Sequence, residues 1–143
     1  MGSTTSKIDK NRISFTDNNN KLICHCDVSN TPFFPGRSLP PMLDEYLQTQ
    51  PNYRSYYIYN LYVDPTHRKK RWCQKLTKAA VQYINNISNG PSQILLHIRY
   101  NTPDIPGYRK CYERVGFQLV DEAIEQDPDD PSANLALFRL VLK

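Results

Sequence analysis

The chain reads as a mixed α/β domain, and three features of its second half point there. A Tyr-rich apolar run over 55–63 has the character of a strand covered on both faces. Two stretches with apolar residues at steps of three and four follow it, each closed by a glycine, with an alternating stretch over 93–99 between them. Two more strand-like runs end the chain. A strand, a helix and a second strand form a parallel pair, and a terminal hairpin adds antiparallel strands to the same sheet.

Taken in order, residues 1–12 are set apart as a flexible N-terminal segment, and 13–143 as a single domain. Residues 13–28 predict two short strands around Asp17-Asn18-Asn19-Asn20, a tract suited to a tight turn. Residues 31–54 hold five prolines and little periodicity, which predicts loop with room for one short helix near 42–47. Asp64-Pro65 ends the central strand. Trp72, Leu76, Ala80, Tyr83, Ile84 and Ile87 then form one helical stripe, stopped by Gly90-Pro91. Ile94, Leu96 and Ile98 share one face of the next strand. Residues 101–107 read as a loop. Tyr108, Cys111, Tyr112 and Val115 make a second helical stripe, with Gly116 as its left-handed cap. Residues 117–120 and 135–142 are the last two strands, and the segment between them reads as an acidic loop.

At 143 residues, 39% hydrophobic and 11% aromatic, the chain is long enough to bury a core and too apolar for a disordered tail. It has no apolar run of transmembrane length and no secretory leader pattern, so the expected location is the cytoplasm, or the nucleus if the basic run acts as an address. Met1-Gly2-Ser3-Thr4-Thr5-Ser6 fits an N-myristoylation pattern, and membrane contact is expected only if Gly2 carries that acyl chain. The four cysteines, Cys24, Cys26, Cys73 and Cys111, do not make a secreted disulfide framework and indicate a reducing compartment. Cys24-His25-Cys26 lacks a second ligand pair, and on a strand His25 points away from its neighbours, so no metal is expected.

The net charge of +4 is divided unevenly. Residues 64–78 carry Arg68, Lys69, Lys70, Arg71, Lys75 and Lys78 against Asp64 alone, whereas 121–131 carry six acids and no base. The basic run stands where a strand passes through a turn into a helix. A helix N-terminus presents free N–H groups and a positive dipole end, so this junction suits a pyrophosphate. Nucleic acid would also attract such a run, but the run is confined to one turn and the net charge is modest, which makes that partner unlikely.

Val63-Asp64-Pro65-Thr66-His67-Arg68, followed by a turn and a helix, resembles the cofactor motif of the GNAT family of N-acetyltransferases. In that family the turn has the form Gln/Arg-x-x-Gly-x-Gly/Ala; here it is Arg68-Lys69-Lys70-Arg71-Trp72-Cys73. Cys111-Tyr112-Glu113-Arg114-Val115-Gly116-Phe117 is similar to the family's Leu-Tyr-x-x-x-Gly-Phe, and the resemblance covers about 55–142. Arg71 replaces the family's glycine and Cys73 its glycine or alanine, so the pyrophosphate motif is degenerate.

The resemblance implies transfer of an acetyl or acyl group from acetyl-CoA (acyl-CoA) to an amine acceptor, a small molecule or a lysine-containing protein. It implies that the backbone of Leu61, Tyr62 and Val63 holds the pantetheine arm, that residues 68–73 hold the pyrophosphate, and that Tyr112 protonates the leaving thiolate. The family often has an asparagine seven residues before that tyrosine. That place is Ile105 here, and Asn101 is the nearest candidate. His97, Glu122 and Glu125 are candidate bases. The acidic segment 121–131 would border a cationic acceptor. Two alternatives stand beside this reading: a GNAT-fold binding or interaction protein that has lost catalysis, and a nucleic-acid binder using 68–75.

Overall fold

The structure, a computed structural model, describes residues 5–9, 11–30, 53–67, 71–99, 105–127 and 130–142, and only the backbone for 97–99, 105–108, 121–127 and 130–135. The expected loop with a short helix at 31–54 lies almost wholly outside the described residues.

Seven strands form one sheet: β1 (Thr5–Asp9), β2 (Arg12–Thr16), β3 (Leu22–Ser29), β4 (Arg54–Val63), β5 (Ser92–Arg99), β6 (Gln118–Asp127) and β7 (Asp130–Leu142), in the order β1-β2-β3-β4-β5-β7-β6. Only β4 and β5 are parallel; every other pair is antiparallel. The helices α1 (Trp72–Ile87) and α2 (Ile105–Val115) make the β4–α1–β5 crossover and the β5–α2–β6 connection. This is the mixed α/β domain the sequence predicts, with a parallel pair at its centre and helices packed on the sheet.

The core forms because the apolar stripes of both helices meet the same sheet face. Trp72, Leu76, Ala80 and Ile84 of α1 bury against Ile13, Cys24, Cys26 and Val63, while Tyr112 of α2 joins Phe117, Ala136 and Phe138. The opposite face carries a smaller cluster around Tyr57, Leu95 and Leu137. Cys24 and Cys26 lie on the helix-covered face, whereas His25 stacks on Tyr62 with ring centroids 5.4 Å apart.

Local chemistry sets the element ends. Asp17 accepts hydrogen bonds from the backbone of Asn19 and Lys21, and Asn20 takes φ 62° to turn β2 into β3. Gly116 (φ 115°) closes α2 in a Schellman arrangement: Phe117 N–H bonds the carbonyl of Tyr112, and Gly116 N–H that of Glu113.

Four details depart from the sequence reading. Strand β1 lies inside the segment set apart as flexible, pairing along its length with β2. Helix α2 begins at Ile105, inside the expected loop, because Pro106 suits a first helical turn, where its missing N–H costs nothing. The acidic segment is mostly strand: β6 runs to Asp127 and β7 starts at Asp130, which pair with each other, so only the tip is left as a connection. Cross-strand pairing outweighs the low strand propensity of the acids. Finally, Cys73 and Cys111 are disulfide-bonded, a pairing that the expectation of a reducing compartment did not include. Helix packing brings their Cα atoms to 6.2 Å, within bonding range.

Candidate functional site: a fork in the sheet beside the first turn of a helix

Strand β4 changes partner along its length. Arg54 to Tyr57 pair with β5, from Arg54↔Ser92 to Tyr57↔Leu95, and Tyr57 to Val63 pair with β3. Strand β5 meanwhile stays on β7 from Ser92 to Arg99. Beyond Tyr57 and Leu95 the two parallel strands therefore separate, and the edge of β4 that faces β5 has no ladder partner strand among the described residues. The gap opens at the carboxyl ends of parallel strands, where open α/β sheets characteristically hold ligands.

A bulge produces the separation. His25 pairs with Tyr62 and Asp27 with Tyr59, so β4 carries one residue more than β3 across this interval. Asn60 takes φ 53°, a left-handed conformation that asparagine tolerates better than most residues. The extra residue reverses the alternation of the strand. Tyr56 and Ile58 face the helices before it and Leu61 and Val63 after it, while Tyr57, Tyr59 and Tyr62 lie toward the other face. Asn60 Nδ2 donates to Asp27 Oδ2 at 3.0 Å, and Arg12 grips Asp27 through Nε at 2.7 Å and an Nη at 2.9 Å. The Arg12 guanidinium, helped by Asn60, holds the Asp27 carboxyl below its ordinary value despite burial. Burial, reinforced by Arg12, also pushes the His25 imidazole below its usual value.

The mouth of the fork leads into α1. Asp64 accepts hydrogen bonds from the backbone and hydroxyl of Thr66, shaping the short 3₁₀ turn Pro65–His67. Arg71 then enters the helix at φ 62°, ψ 22°, a left-handed backbone with its side chain exposed. Among the described residues no side chain caps the helix, its first turn holds no acid, and its first ladder bond runs from Lys75 N–H to the Arg71 carbonyl. The amides of Trp72, Cys73 and Gln74 therefore precede that ladder and form a positive pole at the open end of the sheet.

The site residues expected from the sequence fall into three groups. Leu61, Tyr62 and Val63 line β4 beyond the fork: Leu61 and Val63 pack toward the helices, and Tyr62 sits on His25 with its hydroxyl 3.4 Å from Asp64. Arg71, Trp72 and Cys73 open α1, but only backbone and the Arg71 side chain face outward. Trp72 is 8% exposed and packs on Phe15 under the Lys75 ammonium, and Cys73 is bonded to Cys111. Tyr112 is 5% exposed, ringed by Phe117 and Phe138 on the inner side of α2. Arg68, Lys69, Lys70 and Asn101 lie outside the described residues, as do the side chains of His97, Glu122 and Glu125.

Sequence reasoning missed the Arg12–Asp27–Asn60 lock that pins the bulge. Its one visible signal is Asn60 itself, a poor strand former inside an otherwise aromatic and aliphatic run. It also missed the Cys73–Cys111 pairing, for which spacing in the sequence gives no sign.

No family model and no curated protein matches the chain. Solved structures do. A spermidine N-acetyltransferase from Vibrio cholerae, in complex with CoA and spermine, superposes with a TM-score of 0.63 at 17% identity over 91% of this chain and 64% of that one. An acetyltransferase from Salmonella typhimurium with acetyl-CoA gives 0.64 at 13% identity, covering 92% and 64%. A GNAT superfamily phosphinothricin acetyltransferase from Sinorhizobium meliloti, in complex with acetyl-CoA, gives 0.62 at 15%, covering 92% and 60%. The chain has the GNAT fold. It spans 60–64% of the length of these three structures. No described helix is long and apolar enough to cross a membrane.

Proposed function

We propose that the chain binds an acyl-CoA in the β4/β5 fork and transfers its acyl group to an amine. The observation that carries the proposal is the conjunction of the fork with the uncapped first turn of α1 at the same end of the sheet. The residues fit such a ligand. The α1 amides and the exposed Arg71 side chain suit a pyrophosphate, and the β4 edge from Leu61 to Val63 suits the amides of a pantetheine arm. Arg68, Lys69 and Lys70 add charge by sequence alone, and Asn101 follows the end of β5 by two residues in the sequence. Bound there, acyl-CoA would supply an activated thioester.

The chain's own residues then have two tasks. The strand edge and the helix pole fix the ligand's orientation, which concentrates and aligns the reacting groups. Tyr112, on the buried side of α2 within the helix-covered core, is the candidate for holding a proton near the leaving sulfur. A phenol has an unperturbed pKa of about 10, close to that of a thiol. Three matched structures support the cofactor class, since they are described with CoA or acetyl-CoA. The Vibrio structure is also described with spermine, which makes polyamines the first acceptors to assay.

A second reading is a binding protein of the same fold without catalysis, favoured by how closely Phe117 and Phe138 enclose Tyr112. Release of free CoA thiol from acetyl-CoA in the presence of spermidine or a lysine peptide separates the two. Turnover is expected in the wild type, with kcat lowered about 100-fold in Tyr112→Phe at unchanged acetyl-CoA affinity. Acetyl-CoA binding with no turnover on any amine would leave the binding protein. Equal turnover in wild type and Tyr112→Phe would remove Tyr112 from the chemistry.

A further inference from the structure

We infer that Cys73 and Cys111 form a reversible dithiol–disulfide couple that sets the position of the first turn of α1. The regulatory consequence rests on the acyl-CoA reading of that turn, whereas the chemistry of the pair does not.

Three observations carry it. First, the two sulfurs join the elements the site depends on. Cys73 is the second residue of α1, among the amides that precede the helical ladder, and Cys111 directly precedes Tyr112 on α2. Second, the two cysteines are unequal in the way an attacking and a resolving thiol are. Cys73 is half-buried in the first turn of α1, two residues from the exposed Arg71 and Lys75, and is the sulfur a small disulfide can reach, whereas Cys111 is buried. Third, Thr77 ties the pair together. Its hydroxyl donates to the Cys73 carbonyl at 2.7 Å and stands 3.8 Å from Cys111 Sγ, a polar neighbour that a freed thiol would keep.

The remaining cysteines provide the contrast. Cys24 and Cys26 are free and fully buried, and burial pushes their thiols up to about 11 and about 12. They are held as inert thiols on the same core face, which confines exchange to the 73–111 pair.

The exchange balances with a low-molecular-weight disulfide such as oxidised glutathione as oxidant. Cys73 thiolate attacks one sulfur of that disulfide, the S–S bond breaks, and one thiolate leaves. Cys111, losing its proton, attacks Cys73 Sγ in the mixed disulfide and expels the second thiolate. The protein loses two electrons and the small disulfide gains them, yielding two thiols after protonation; excess reduced thiol runs the steps backwards. Breaking the bond lets the sulfurs move apart from bonding to van der Waals distance, on the order of 1 Å or more. That shift occurs at the first turn of α1, where a displacement of this size matters for positioning. The oxidised form, with α1 tied to α2, is the form with the site assembled.

The test equilibrates the full chain in glutathione buffers of graded ratio, alkylates free thiols and maps them by mass. Amide exchange at 75–77, the first amides of the α1 ladder, and calorimetric titration of acetyl-CoA are then run on both redox forms. The expected result is reversible protection of Cys73 and Cys111 with Cys24 and Cys26 unpaired throughout. Faster exchange at 75–77 and about fivefold weaker acetyl-CoA binding are expected in the reduced form. Cys111→Ala, which spares the α1 terminus, should match the reduced form under reducing conditions and, lacking the resolving thiol, should hold glutathione on Cys73 at oxidising ratios, read by mass. A pair that does not interconvert, or exchange at 75–77 identical in both forms, overturns the inference. Redox-dependent exchange with no acetyl-CoA binding in either form upholds the couple and overturns the acyl-CoA reading. Redox-dependent exchange with equal affinities overturns control of the site.

Discussion

At Arg71 the backbone sits at φ 62°, ψ 22°, a region that costs a residue with a Cβ about 1–2 kcal/mol. The side chain is exposed at the positive pole of α1. These two facts pull Arg71→Gly in opposite directions. Glycine adopts the conformation freely, so the variant is expected to gain about 1 kcal/mol in urea unfolding after allowing for its looser unfolded chain. It loses a cation at the proposed pyrophosphate position, so acetyl-CoA binding is expected to weaken about fivefold, within the range of one charge-assisted contact. Tighter binding would mean that the side chain obstructs the ligand. Gly116 is the converse case. At φ 115°, with a Cβ position only 3.2 Å from Leu140 Cδ1, Gly116→Ala is expected to cost about 2 kcal/mol, read from the denaturant midpoint.

Among the elements, β4 decides the architecture, because its bulge separates it from β5. Asp27 holds that bulge through Asn60 and Arg12. Asp27→Ala is expected to cost about 2 kcal/mol, since it leaves Asn60 and Arg12 without their shared acceptor. The effect is pH-dependent with a definite sign. The folded carboxyl titrates below its unfolded value, so its contribution is complete above about pH 4 and fades as pH falls through the lower folded value. Unfolding curves of wild type and variant should therefore converge in acid; a difference unchanged from pH 7 to pH 2 would contradict this. The strand itself was legible from its Tyr-rich run, and both helices from their apolar stripes, because period and capping are local properties. The bulge was not, because it depends on Asp27 lying opposite Asn60, 33 residues away. The acidic strand end at 121–127 was misread for a related reason: its partners are supplied by β7, not by its own composition.

On the scale of the molecule, the uneven charge has a structural setting at one end only. Arg71 and Lys75 stand at the first turn of α1, beside the carboxyl ends of the two parallel strands, whereas Asp121, Glu122, Glu125 and Asp127 lie along the outer strand β6. The candidate site was correspondingly readable in part. The strand–turn–helix order and the Cys111-Tyr112 element could be found from sequence, but the fork, the Asp27 lock and the disulfide arise from contacts across the sheet and between helices. The account's central claim is that the fork and the α1 pole together bind acyl-CoA. Calorimetric titration of the oxidised chain with acetyl-CoA tests it most directly. The account predicts saturable one-to-one binding in the micromolar to millimolar range that weakens with added salt as the pyrophosphate contacts are screened. No binding heat at millimolar acetyl-CoA, from a chain shown to be folded, would contradict it.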